Sequence, residues 1–269
     1  MEGAIQFKPY GNIYYKKWDV KNPKASILII HGLGEHINRY EEFASYMASH
    51  DIQCIGFDLP GHGRSEGKRG HIKSFDDVIE IADIILEKEK IDNVVVYGHS
   101  LGGLIAAYDI LKSNHNVIKG IISAAAFGMK SKVPVVALPV IKLMGMIAPQ
   151  MAVKNGITGN MLSHRKEIAE AYDNDKLVHP FISFSLFLDS IRVGDYCFAH
   201  FLEYNIPILV VHGENDPIMD KKFSQAFFNM LPNGKKQLKI IENSYHEPHN
   251  EVNNREVFDL YREFVLSKD

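Results

Sequence analysis

Cysteine is nearly absent: Cys54 and Cys197 are the only two in 269 residues, and no Cys-x-x-Cys occurs. That excludes a disulfide framework, a cysteine-ligated zinc site and dithiol exchange, and fits a reducing compartment. Basic runs are just as scarce. With 30 Lys and Arg against 33 Asp and Glu the net charge is −3, and no Lys/Arg cluster of the kind that follows a phosphate backbone is present, so nucleic acid is excluded as a partner. Long apolar runs are missing too. The most hydrophobic stretch, Val133 to Pro149, is broken by Pro134, Pro139 and Lys142 and falls short of the roughly 18 apolar residues that span a bilayer. The opening Met1-Glu2-Gly3-Ala4-Ile5 lacks a basic segment followed by an apolar one, which reads as no signal peptide and predicts a cytoplasmic protein. There is no internal repeat and no Gly/Ser linker.

What is present is an alternation. Short apolar runs rich in β-branched residues recur at Ser26–His31, Ile52–Phe57, Val94–Tyr97, Gly120–Ser123 and Ile206–Val211, each reading as a strand buried on both faces. Helical periodicity fills the gaps over Tyr40–Ser49, Phe75–Lys90 and Leu101–Lys112. The pattern predicts an α/β protein with a mostly parallel central sheet flanked by helices, and Asn12–Trp18, which alternates more weakly, an antiparallel edge strand. After Ser123 the alternation stops and resumes only at Ile206. Five of the nine methionines lie in between, and Gly128–Lys166 holds six Lys/Arg and no Asp or Glu. Residues 1–124 and 205–269 are therefore read as the core, and 125–204 as an inserted, mostly helical cap.

Chemistry is concentrated at three places. Val94–Tyr97 runs into Gly98-His99-Ser100-Leu101-Gly102-Gly103, a strand, then Gly-x-Ser-x-Gly, then a helix of small residues. A serine at so sharp a turn has its hydroxyl lifted above the sheet as a nucleophile; the bland alternative is a serine capping the helix. Serine needs a base, and the base needs an acid to fix its tautomer. Asp216 follows the strand ending at Val211, and His246 follows the next, Gln237–Ile241, so the order Ser, Asp, His is that of α/β-hydrolases. Oxyanion donors are expected from the backbone N–H groups of Leu101 and Leu33, the latter in His31-Gly32-Leu33-Gly34-Glu35-His36.

On these motifs, together with Arg39-Tyr40, the run Asp58-x-x-Gly61-His62-Gly63-x-Ser65-x-Gly67, His212-Gly213-x-x-Asp216 and Tyr245-His246-x-x-His249, nearly the whole chain resembles the monoacylglycerol lipases of the α/β-hydrolase superfamily, in their lysophospholipase-like branch. The resemblance implies hydrolysis of a monoglyceride to glycerol and fatty acid through an acyl-enzyme on Ser100, under a mobile cap. It also implies a glycerol pocket made by Glu35, Arg39 and His249, although Glu35 and Arg39, four residues apart, equally read as an ion pair anchoring their loop.

An acyl chain gains about 0.8 kcal/mol per buried methylene and needs a long apolar tunnel. Leu138, Ile141, Met144, Met146 and Ile147 are the cap residues expected to line it, the alternative being the ordinary core of a small helical unit. Lys130, Lys132, Lys142 and Lys154 among these apolar residues suit transient peripheral contact with an anionic membrane, or simply solvate the cap. Gly61–Lys68 fails as a phosphate loop: His62 stands where a glycine is needed, and Arg69 follows Lys68 where Ser or Thr is needed. Neither His31 with His36 nor His62 with His71 makes a helical metal-ligand spacing such as His-Glu-x-x-His. A monomer without metal or cofactor, acting on a small lipid ester, is the expectation. A lysophospholipase, a carboxylesterase or a thioesterase would use the same triad, and a receptor for an apolar ligand could keep the fold without turnover.

Overall fold

The computed structural model describes residues 1–128, 137–234 and 236–267. In chain order the core elements are β1 (Glu2–Phe7), β2 (Gly11–Trp18), β3 (Ala25–Ile30), α1 (Glu41–Ala48), β4 (Ile52–Phe57), α2 (Phe75–Lys88), β5 (Asn93–His99), α3 (Leu101–Lys112) and β6 (Asn116–Ser123). Between β6 and the next core strand lie α4 (Leu138–Ile147), β7 (Ala152–Lys154), α5 (Lys166–Asn174), β8 (Phe181–Ser183) and α6 (Phe184–Ala199). The chain then returns through β9 (Ile208–Gly213), α7 (Lys221–Met230), β10 (Lys236–Ile241) and α8 (Asn254–Leu266).

One sheet of eight strands runs β1-β2-β4-β3-β5-β6-β9-β10. From β4 to β10 every pairing is parallel, while β1–β2 and β2–β4 are antiparallel. The expected α/β architecture is therefore present. The edge is not the expected one: β1 covers β2, so Asn12–Trp18 is second in the sheet. Among the residues of β1 only Ile5 and Phe7 are buried, too short an alternation to register as a strand in the sequence.

Successive side chains of a strand point to opposite faces, and the core divides accordingly. Leu28, Ile30, Val94 and Val96 join Val78 and Ile79 of α2, Leu104 of α3 and Phe227 of α7 on one face. Ile27, Ile29, Val95 and Tyr97 meet Phe43 and Met47 of α1 and Phe258 and Tyr261 of α8 on the other. Strands sandwiched in this way are apolar at most positions, and a polar exception is bonded, as Gln53 of β4 is to Ser26 of β3 (2.8 Å). The α2 helix shows the local logic: the Ser74 side chain accepts from the Asp76 N–H, Asp76 and Asp77 occupy the positive end, and Lys88 the negative end.

The chain between β6 and β9 includes, besides its helices, an antiparallel ribbon of β7 and β8. It is fastened to the core at several points. The His179 N–H donates to the Gly34 carbonyl (2.9 Å), that of Ser183 to Gly70 (2.8 Å), and that of Glu247 to Leu162 (2.8 Å). The Phe75 N–H donates to Asp189 of α6 (2.7 Å). No helix of the described residues is long and apolar enough to cross a membrane.

Where β5 turns into α3 the backbone is packed without slack. A Cβ on Gly98 would lie 2.0 Å from the Gly102 carbonyl oxygen, and one on Gly102 would lie 2.0 Å from the Ile30 carbonyl oxygen of β3. Backbone cannot yield as a flexible side chain can. Gly102→Ala is expected to lower stability by about 1–3 kcal/mol or more through overpacking, read as a lower denaturation midpoint with an unchanged denaturant slope.

Candidate active site

The parallel strands end together, and the loops leaving their carboxyl ends are where an open α/β sheet assembles a site. Ser100 sits between β5 and α3 with φ +56° and ψ −118°, a backbone conformation that costs a non-glycine residue about 1–3 kcal/mol and persists only when its surroundings impose it. They do so here: the Ser100 N–H donates to the Ser123 carbonyl (2.9 Å), while the Ser100 carbonyl accepts from Gly103 (3.0 Å) and Ala126 (2.9 Å).

Two residues from distant loops converge on that hydroxyl. His246 Nε2 lies 2.9 Å from Ser100 Oγ, and His246 Nδ1 lies 2.7 Å from Asp216 Oδ2. With the carboxylate fixing the ring proton on Nδ1, Nε2 is left to accept the serine proton. Asp216 is itself held: Oδ1 accepts from the Ile218 N–H (2.7 Å) and the Met219 N–H (3.0 Å), and His212 Nε2 lies 3.2 Å from Oδ2. Burial acts to raise the Asp216 carboxyl, but the His246 imidazole and the bonds from His212 and His246 outweigh it and hold the group well below the usual carboxylate range. For His246 burial acts against the charged form, yet the Asp216 carboxylate, helped by Glu247 and Glu35, raises its pKa overall. His246 is thus more basic than an ordinary histidine.

The loop after β3 lies against the serine, since a Cβ on Gly32 would be 3.2 Å from Ser100 Cβ. Leu33 follows Gly32, and its N–H donates to no protein group among the described residues. Leu101 is the first residue of α3, where a helix leaves its N–H groups unsatisfied. Leu101 thus adjoins the serine in the chain and the loop carrying Leu33 packs against it at Gly32, and neither N–H donates to a protein group among the described residues. The geometry can do acyl transfer: a nucleophile, a base 2.9 Å from it and polar N–H groups beside it.

Glu35 and Arg39 are bonded to each other, and His249 adjoins them through Tyr40, on whose ring it stacks and whose hydroxyl Glu35 accepts. Glu35 Oε1 accepts from the Gly32 N–H (2.6 Å) and the Tyr40 hydroxyl (2.9 Å), and Oε2 accepts from Arg39 (2.6 Å). The loop-anchoring ion pair is thus what these two residues form. His249 stacks on Tyr40 with ring centroids 4.8 Å apart, and its Nδ1 lies 3.2 Å from the Tyr97 hydroxyl. Its Nε2 has no protein partner among the described residues. Burial, offset only in part by Glu247, lowers the His249 pKa to about 4, so the ring is neutral.

The five cap residues expected along an acyl tunnel divide. Leu138, Ile141 and Met144 are half-buried on the face of α4 that carries Gly145, whose added Cβ would meet Leu188 of α6 at 2.3 Å. Met146 and Ile147 are 81% and 68% exposed and point away from it. Met129, Lys130 and Lys132 lie outside the described residues. Two roles near the triad were missed by sequence reasoning: His212, quoted in a motif but given no role, lies against Asp216, and Glu247, not singled out, binds Arg39 through both carboxylate oxygens (2.6 and 2.8 Å). Position alone carried a hint of each, His212 lying four residues before Asp216 and Glu247 next to His246. Neither hint pointed to a partner.

A mostly parallel sheet with a serine at the β5–α3 turn, reached by a histidine and an aspartate from later loops, defines an α/β-hydrolase. Residues 21–253 match the family described as Serine aminopeptidase, S33. The chain belongs to that family and is a serine hydrolase. It is 33% identical over 257 residues to an uncharacterized abhydrolase domain-containing protein of Dictyostelium discoideum, spanning 94% of this chain but 27% of that protein. With phospholipase YtpA of Bacillus subtilis it shares 30% identity over 252 residues, covering 92% of this chain and 97% of the relative. Its fold superimposes on the crystal structure of Paleococcus ferrophilus monoacylglycerol lipase with a TM-score of 0.88 at 27% identity, over 94% of this chain and 98% of the other.

If His246 is the base, protonating it removes activity, and its raised pKa places that loss above pH 6.5. The acid limb of kcat/KM on a neutral ester is therefore expected to have its midpoint above 6.5. Asp216→Asn is expected to cut kcat by roughly ten-thousand-fold by losing the tautomer.

Proposed function

We propose that the chain is a monoacylglycerol lipase, cleaving the single ester of a monoglyceride to glycerol and a fatty acid. The observation that carries the catalytic part is the chain of contacts from Ser100 through His246 to Asp216, at 2.9 and 2.7 Å. Ser100 Oγ attacks the ester carbonyl while its proton passes to His246 Nε2. The carbonyl oxygen becomes an oxyanion that accepts from the Leu33 and Leu101 N–H groups. Collapse breaks the ester C–O bond, His246 returns the proton to the departing glycerol oxygen, and a water activated by the same histidine then frees the acid from Ser100.

The choice of substrate rests on what surrounds the serine, and on likeness to the Paleococcus ferrophilus enzyme. Residues 125–204 act in this reading as a cap over a core of 1–124 and 205–269. Glu35, Arg39 and His249 form the polar end of the pocket, with the unpartnered His249 Nε2 offered to a hydroxyl. Leu138, Ile141 and Met144 are its apolar cap residues. A second reading, hydrolysis of a lysophospholipid, is favoured by the 30% identity to a phospholipase. The two Glu carboxylates around Arg39 speak against an anionic headgroup there.

A series of monoacylglycerols of increasing chain length, compared with matched lysophosphatidylcholine and a short p-nitrophenyl ester, separates these readings. Monoglycerides are expected to give the highest kcat/KM, with Ser100→Ala lowering kcat about a million-fold. A preference for lysophosphatidylcholine would favour the phospholipase, turnover of the short ester alone a general esterase, and no turnover at all a binding protein.

The outer face of α4 presents Val140, Leu143, Met146 and Ile147 beside the exposed Lys142, a composition suited to the surface of an anionic bilayer. Flotation with anionic vesicles is expected to carry the protein upward, and Lys142→Glu with Lys154→Glu to release it. Binding that ignores both changes would remove charge from the account.

A further inference from the structure

Glu247 follows His246 in sequence, and its carboxylate is bonded to Arg39 rather than to any member of the Ser100–His246–Asp216 chain. Its two oxygens take the Arg39 guanidinium at 2.6 and 2.8 Å across a sequence separation of 208 residues. The same guanidinium donates to Glu35 (2.6 Å), and Glu35 accepts the Gly32 N–H (2.6 Å), one residue before the candidate oxyanion amide of Leu33. A continuous buried chain, Glu247 to Arg39 to Glu35 to Gly32, therefore links the loop carrying His246 to the loop that flanks Ser100 on its other side. Asn250 Nδ2 donates to Glu247 Oε2 (2.7 Å), and the Glu247 N–H is fixed to Leu162 (2.8 Å), so the carboxylate has no freedom to reach elsewhere.

We propose that Glu247 is a positioning residue for the reaction: through Arg39 and Glu35 it sets the spacing between the general base and the oxyanion amides. This rests on the Ser100–His246–Asp216 reading, and not on the choice of monoglyceride as substrate. Buried ion pairs give little net stability, because desolvation offsets their attraction. What they provide is fixed geometry, and a misplacement of about 1 Å in a catalytic constellation costs on the order of a hundredfold.

Charge supplies an independent readout. His246 is faced by Asp216 with His212 behind it, by the His99 ring (centroids 4.7 Å apart), by Glu247 and His249 of its own loop, and by Glu35 and Arg39 across the site. Burial opposes ionisation of Glu247, but the bidentate Arg39 outweighs it and brings the carboxyl to about 2, so it is charged throughout the working range. Burial and the Glu247 carboxylate raise Glu35 against the pull of Arg39. Removing the Glu247 charge takes away one of the groups that favour the imidazolium of His246.

The test is Glu247→Gln assayed on a short p-nitrophenyl ester, with folded sites counted by a covalent serine probe. Per site, kcat is expected to fall about ten- to a hundredfold with little change in KM, and the acid limb of kcat/KM is expected to move to lower pH. Wild-type kcat per site with an unmoved limb would overturn the proposal, as would a loss explained wholly by fewer folded sites. Should the variant not fold, Arg39→Met combined with Glu35→Gln and Glu247→Gln leaves none of the three as an unpaired buried charge, and the same drop in kcat per site is expected from it; wild-type kcat in that variant would equally overturn the idea. A wild-type protein inert toward the ester would bring down the triad reading and this proposal together, a result distinct from an active wild type matched by its variant.

Discussion

The close approach of β3, β5 and α3 around Gly98 and Gly102 is the constraint on which the site depends. There a serine is held at φ +56° with its main chain bonded to Ser123, Gly103 and Ala126. The strain is small beside the packing that imposes it, since the flanking strands are buried on both faces. Once Ser100 stands at the carboxyl edge of the sheet, everything that assists it must come from loops on that edge. Asp216 and His246 come from the loops after β9 and β10, and Gly32 and Leu33 from the loop after β3.

A second regularity is the treatment of charge. Asp216, Glu35 and Glu247 are all buried, and each accepts two or more hydrogen bonds. In a low-dielectric site an unpaired carboxylate would take up a proton and a lone imidazole would lose one. Here the partners determine the outcome group by group. His246, facing Asp216, is made more basic, whereas His249 and His99, without a carboxylate in hydrogen-bond contact, are pushed toward neutrality by burial. Neighbouring imidazoles on one loop thus acquire opposite tendencies from their surroundings alone.

How much of this was legible in the sequence follows from how local each feature is. The central strands could be read because burial on both faces removes polar residues from a run, and Ser100, Asp216 and His246 because each follows such a run in a recognisable order. The β1 strand was missed because only two of its residues point inward. Met146 and Ile147 could not be told from Leu138, Ile141 and Met144 by composition; only the side of α4 turned to α6 separates them. Glu247 illustrates the remaining limit. Its partner Arg39 lies on the other side of the whole chain, and an Arg already provided with a carboxylate four residues away gives no sign of needing another.

The α4 helix has no buried residue and leans on α6, whereas the segments on either side of α5 are bonded directly into the catalytic loops. Mutational tolerance is therefore unevenly distributed over the insertion. Drift in α4 costs the core almost nothing, while drift near Leu162 or His179 disturbs the loops that bear His246 and Leu33. A lineage built on this scaffold has room to diversify what it admits to the site while the chemistry beneath stays under purifying constraint.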